Sequence, residues 1–152
     1  MNKLLLVLNL FVLYSCCGTK AQANEEVKLQ EQEKHQYIVE YSALTRGAYK
    51  RIVLEGDSLT VQLDRAQEPK VVQCTAQELS SIYALVDTID LNELKNLEVP
   101  SKAHQYDGAL IAVLKITDQG TLFHSPSFDH GNPPKEIEPL VLQLLSLGEK
   151  VE

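Results

Sequence analysis

The chain has no membrane-length apolar run, no basic patch and few cysteines, and each shortage removes a class of protein. Its longest apolar stretch, Leu4-Leu5-Leu6-Val7-Leu8-Asn9-Leu10-Phe11-Val12-Leu13, falls short of the roughly 20 residues a helix needs to cross a bilayer. Across 152 residues, 14 Lys and Arg face 21 Asp and Glu, and the bases are scattered singly apart from Lys50-Arg51. Nucleic acid is therefore not an expected partner, because a phosphate backbone asks for a cationic surface. Electrostatic attraction to anionic lipid is not expected either. Three cysteines, Cys16, Cys17 and Cys74, cannot build a disulfide framework, and the chain is long enough to fold round its own core without one. His-x-x-x-His spacing, a nucleophile elbow and a glycine-rich phosphate loop are all missing from the sequence. No cofactor and no defined metal site are expected.

What is present begins at the N-terminus. Lys3 precedes the apolar run, which closes on Leu13-Tyr14-Ser15-Cys16. This resembles a bacterial lipoprotein signal with its lipobox, which makes residues 1–15 a signal peptide and Cys16 the lipidated first residue of the mature chain. A competing site, Ala21-Gln22-Ala23, would release a soluble protein starting at Asn24, but it lies far beyond the apolar run and after Lys20. A buried amphipathic helix does not fit, since the run has no polar face. Residues 16–36 then read as lipidated cysteine and tether. Besides the two cysteines their only apolar residues are Ala21, Ala23, Val27 and Leu29, too few to offset the entropy of ordering. About 20 such residues hold a domain on the order of 25 Å from the membrane.

Residues 37–152 read as a single α+β domain: an antiparallel sheet, a meander plus a hairpin, with helices packed on one face. Strands are expected over 37–44, 49–54 and 59–63, the last with strict alternation at Leu59, Val61 and Leu63, and a short fourth over 70–73. Thr75-Ala76-Gln77-Glu78 is a capping box for a helix with its stripe at Leu79, Ile82, Tyr83 and Val86, and Cys74 precedes the cap as a small hydrophobe. A Cys17–Cys74 disulfide is arithmetically allowed, with nothing in the spacing to favour it. Asp90-Leu91-Asn92-Glu93 repeats the cap pattern and predicts a second, short helix ended by Val99-Pro100. Strands over 109–116 and 121–125 form a hairpin across Thr117-Asp118-Gln119-Gly120, and both faces of the first are apolar, as in a sheet covered on both sides. A last helix carries Ile137, Leu140, Val141, Leu144 and Leu145 and stops at Gly148.

The residues that could carry chemistry are His104, Tyr106, Asp107, His124, Asp129 and His130. If Ile116 pairs with Thr121, Asp107 faces His130 and the open end of the hairpin gathers Asp107, Asp129 and His130. A carboxylate beside an imidazole is the arrangement of a general base or part of a metal site. His124 lies six extended residues from His130, roughly 20 Å away, and is excluded from that site. The same residues also have the composition of plain turns, with Asp129 or Asn132 satisfying backbone N–H groups and Gly131 supplying a positive φ. Arg46, between Thr45 and Gly47 at the first hairpin tip, could bind a carboxylate or phosphate, and with His104 it is a candidate for ligand binding.

Thr45-Arg46-Gly47, Tyr106-Asp107-Gly108-Ala109 and Phe128-Asp129-His130-Gly131-Asn132-Pro133-Pro134, taken with the lipobox, resemble the small uncharacterised lipoproteins of Bacteroidota such as flavobacteria. The resemblance covers the domain from Tyr37 onward and brings no activity with it. It implies a cell envelope protein held by its lipid, at the outer membrane by resemblance to lipoprotein sorting. The expectation is a non-enzymatic binding or accessory module whose partner is another envelope protein, a peptide or a small ligand. The alternative is a hydrolase or metal-dependent enzyme using Asp107, Asp129 and His130; for location, it is a secreted or soluble periplasmic protein.

Overall fold

Alternation builds the sheet. In the computed structural model of the protein, which describes residues 37–151, β1 (Ile38–Leu44), β2 (Tyr49–Glu55) and β3 (Ser58–Gln62) form an antiparallel meander. Every second residue is buried: Val39, Tyr41 and Ala43 on β1, Ile52 and Leu54 on β2, Leu59 and Val61 on β3. The residues between them, Glu40 and Ser42 on β1, Val53 on β2 and Thr60 on β3, leave the opposite face half-buried. β4 (Lys70–Gln73) pairs with β3 and forms one edge, all four of its residues exposed. β5 (Ile111–Asp118) returns along the other side of β1, so that Leu44 meets Ile111 and Ile38 meets Thr117. The signal peptide, Cys16, Cys17 and the tether expected over 16–36 lie outside the described residues.

Two helices cover one face. α1 (Ala76–Val86) opens on the expected capping box: Thr75 accepts the Glu78 N–H, and the Glu78 carboxylate accepts from the Thr75 backbone. Those bonds, with Lys150 at 2.9 Å, pull the Glu78 carboxyl down to about 2. α2 (Glu138–Glu149) takes Pro139 into its first turn, where no N–H is missed. Ile82 and Val86 of α1 and Leu140, Val141, Leu144 and Leu147 of α2 are buried against the inner face of the sheet, with Leu114 and Ile116 of β5.

Four local expectations are corrected. The helix expected after Asp90 is a single 3-10 turn, Leu94–Asn96. Asp90 spends its carboxylate on the Asn92 N–H at 3.0 Å instead of starting an α-helix, and Pro100 bars extension on the far side. α2 does not stop at Gly148 but runs through it. A Cβ there would sit 2.7 Å from Ile52 Cδ1, so this glycine lets the helix approach β2. β5 starts at Ile111 rather than 109 and is covered on one face only, with Ile111 itself exposed.

The last correction concerns register. Thr121 pairs with Asp118, not with Ile116. The turn is the two residues Gln119 and Gly120, at φ 47° and 81°, both left-handed as a tight turn between right-twisted strands requires. β6 (Thr121–His124) follows β5 up to Ser125, which gives its N–H to the Leu114 carbonyl and takes the Leu114 N–H on its hydroxyl. β7 (Phe128–Asp129) then resumes along the same edge, with Phe128 opposite Ala112 and Asp129 opposite Ile111. Pro126 and Ser127 together stand opposite Val113, which is a bulge. Pro126 has no N–H for the ladder, and the Ser125 hydroxyl supplies the bond that the interrupted strand would lose.

Candidate functional site

Three segments meet at one end of the sheet because the meander turns there twice and β5 begins there. They are the 45–48 turn between β1 and β2, the 63–69 loop after β3, and residues 101–110 leading into β5. The first is tight: Thr45 donates its N–H to the Ala48 carbonyl at 2.9 Å and accepts the Gly47 N–H on its hydroxyl at 3.3 Å. Arg46 projects from a turn whose backbone is satisfied internally.

The third segment is pinned by Asp129. One of its carboxylate oxygens accepts from the Ser101 hydroxyl and, at 2.9 Å, from the Ala103 N–H; the other accepts from the His104 N–H at 2.7 Å and from His104 Nδ1 at 2.5 Å. These bonds hold the 3-10 turn Ala103–Tyr106 against β7. Burial alone would raise the Asp129 carboxyl, but the hydrogen bonds from Ser101, His104 and Ala103 outweigh it and hold the group well below the usual carboxylate range. The turn closes with Asp107 in the left-handed region, φ 57°, and the Gly108 N–H on the Ala103 carbonyl at 3.0 Å. Asp tolerates that conformation better than most residues.

His104 is thereby oriented. Its side chain is only 8% exposed, and Nδ1 carries the proton that Asp129 accepts. With Nδ1 engaged, Nε2 is the remaining polar atom of the ring, and no group among the described residues bonds to it. The ring lines a cleft of about 350 Å³ together with Asp107, Arg46, Arg65 and the apolar Leu44, Ala109 and Ile111. A second hollow, about 200 Å³, adjoins it and shares Thr45, Arg46 and Arg65. The Arg65 guanidinium lies 5.2 Å over the Tyr49 ring. Neither Arg46 nor Arg65 has a carboxylate partner among the described residues.

The structure divides the trio Asp107, Asp129 and His130. Asp129 ends β7 and His130 opens the turn after it, closed by the Asn132 N–H on the Asp129 carbonyl, and the imidazole that Asp129 holds is His104. His130 gives its N–H to the Leu110 carbonyl, and its Nδ1 lies 2.6 Å from the hydroxyl of buried Tyr41. Burial, with the charge of Lys50, pushes the His130 imidazole down. Asp107 does not face His130, because the true register carries it past the end of β5; it lines the cleft with Arg46 and His104 instead. His124 bonds the Ser125 carbonyl at 3.0 Å and lines a separate hollow with Leu91, Asn92 and Lys95. Among the described residues no three His, Cys, Asp or Glu side chains group to hold a metal ion. Cys74 is a free, half-buried thiol whose proton is held more tightly by burial and by nearby Glu78 and Asp57.

Arg65 is the one cleft residue that sequence reasoning passes over. Its signal was topological: a meander brings the loop after its third strand back beside its first turn, so a polar residue there neighbours Arg46. Comparison with protein-family models, with curated proteins and with solved structures brought no match to this chain.

Proposed function

We propose that the chain is a non-enzymatic cell-envelope lipoprotein, anchored through acyl groups on Cys16, whose domain binds a small ligand in the cleft between Arg46, Arg65, His104 and Asp107. The pair of guanidiniums carries this reading. In a chain with an excess of acids, net charge −7, two arginines share one cleft with no ion pair of their own among the described residues. Arginines left so form a local positive potential that an incoming anion neutralises. The cleft also has what a small-molecule site needs: an apolar wall and a few polar groups fixed by the scaffold. The resemblance to small lipoproteins of Bacteroidota supports attachment at the outer membrane.

Two measurements test the two halves. Mass spectrometry of the mature protein should find an acylated Cys16 as its first residue; a chain that begins at Asn24 with no acyl mass overturns the anchor. A thermal-shift panel of acetate, phosphate, amino acids and dipeptides should raise the melting temperature of the purified mature protein, and the Arg46→Gln/Arg65→Gln variant should lose the response. A panel in which nothing stabilises the protein overturns the binding site.

The His104–Asp129 pair favours a second reading, a hydrolase in which His104 Nε2 takes a proton from water beside an anion held by the arginines. It replaces the His130-centred site expected from sequence. Hydrolysis of nitrophenyl acetate or nitrophenyl phosphate no faster than by His104→Ala would remove it.

A further inference from the structure

We infer that the ligand of this cleft is a free α-amino acid, recognised through both of its backbone charges. The inference rests on the binding reading above and adds the chemistry of the ligand. A cleft built for a simple anion would present donors alone. This one presents Arg46 and Arg65 and, among the same lining groups, the carboxylate of Asp107 and the ring of His104. Asp107 has no hydrogen bond or ion pair among the described residues to its carboxylate, and its left-handed backbone fixes it at the lip of the cleft. Asp129 engages His104 Nδ1 and so holds the ring in place among the lining groups. A phosphate or acetate bound by the arginines would therefore share the cleft with the Asp107 carboxylate. An ammonium group answers that carboxylate, since it brings donors and a positive charge. A molecule with a carboxylate and an ammonium on one carbon matches the guanidiniums and the Asp107 carboxylate at once. Leu44, Ala109 and Ile111 give the same cleft apolar surface for a side chain, and about 350 Å³ is the small end of the range for ligand sites.

The test is titration of the mature protein, followed by amide chemical shifts, with the twenty amino acids, acetate, inorganic phosphate and a set of dipeptides. For any amino acid that binds, its N-acetyl and carboxamide forms are included. At least one free amino acid should bind, with shifts concentrated at residues 45–47, 65 and 104–109. N-acetylation and amidation should each weaken it about tenfold or more, the loss of one charge-assisted contact. Arg46→Gln should reproduce the effect of amidation. Asp107→Asn should reproduce that of acetylation, and Asn keeps the left-handed backbone. Acetate or phosphate binding as tightly as any amino acid, or indifference to N-acetylation, overturns the amino-acid assignment and leaves the binding site standing. A dipeptide that displaces every free amino acid also overturns it, in favour of a peptide. No shift at these residues with any compound overturns the assignment and the binding reading together.

Discussion

At the scale of single residues, two side chains with ordinary names hold unusual positions. Tyr41 is fully buried and its hydroxyl has one partner, His130 Nδ1. Tyr41→Phe should lower the free energy of unfolding by about 1–2 kcal/mol, read from urea denaturation, because it leaves a half-buried ring nitrogen without its bond. His130 also sets a pH dependence. Its folded pKa lies below its unfolded value near 6.5, so the unfolded chain binds the proton first and stability falls as pH drops through that region. The urea midpoint should decline between pH 7 and pH 5 in the wild type and stay flatter in His130→Gln. Asp129 acts lower. Its depressed pKa contributes stability that is complete above about pH 4 and is lost as pH falls toward the folded value. Asp129→Asn should be less stable at neutral pH and show a shallower acid limb, and its amide spectrum should report loosening at residues 101–107.

Elements show which local rules the chain obeys. The capping box at Thr75, the alternation of β1 and that of Leu59 and Val61 on β3 were legible, because they depend on residues a few positions apart; Leu63, expected with them, lies beyond the strand and is exposed. The hairpin between β5 and β6 was legible as a hairpin but not in register. Gln119 occupies a left-handed position usually given to Asn, Asp or Gly, so the sequence did not mark the turn as a two-residue one. Gln119→Asn should stabilise the protein by about 0.5–1 kcal/mol, seen as a raised urea midpoint with unchanged slope. Gly148 is the reverse case, a residue read as a helix stop that is in truth a contact. Gly148→Ala would gain about 1 kcal/mol of helix propensity, yet its methyl group meets buried Ile52. The variant should be destabilised by about 1–2 kcal/mol on balance. Ile52→Val removes the atom in the way, so the double variant should be more stable than the sum of the single changes predicts.

For the whole molecule, topology decides what the sequence could reveal about the cleft. Arg46, His104 and Asp107 were each visible as turn residues with chemical potential, and they lie together because β1 and β5 share an end. Their grouping depended on pairings between distant segments. The register that linked Asp107 to His130 was argued from one hairpin alone, and it failed at the turn and again at the bulge. Arg65 carried no local signal, since a polar residue in a polar loop is ordinary until the fold returns that loop to the first turn. Cutting the charge of the cleft should leave the scaffold intact: the Arg46→Gln/Arg65→Gln variant should unfold within about 0.5 kcal/mol of wild type, as exposed substitutions generally do.

The bulge at Pro126 and Ser127 has a consequence of counting. A strand sends successive side chains to alternate faces, so the extra residue opposite Val113 exchanges the destinations of everything after it. With it, Phe128 enters the core and Asp129 turns outward to His104. Were the same residues paired regularly with none bulged out, Phe128 would meet Ile111 and turn outward, and Asp129 would be driven into the apolar interior. The parity of a three-residue stretch thus sets both the last piece of the core and the orientation of the imidazole in the cleft. Deleting Ser127 would leave Pro126 alone opposite Val113 and keep Phe128 opposite Ala112 and Asp129 opposite Ile111, so the wall opposite the arginines would keep its facing.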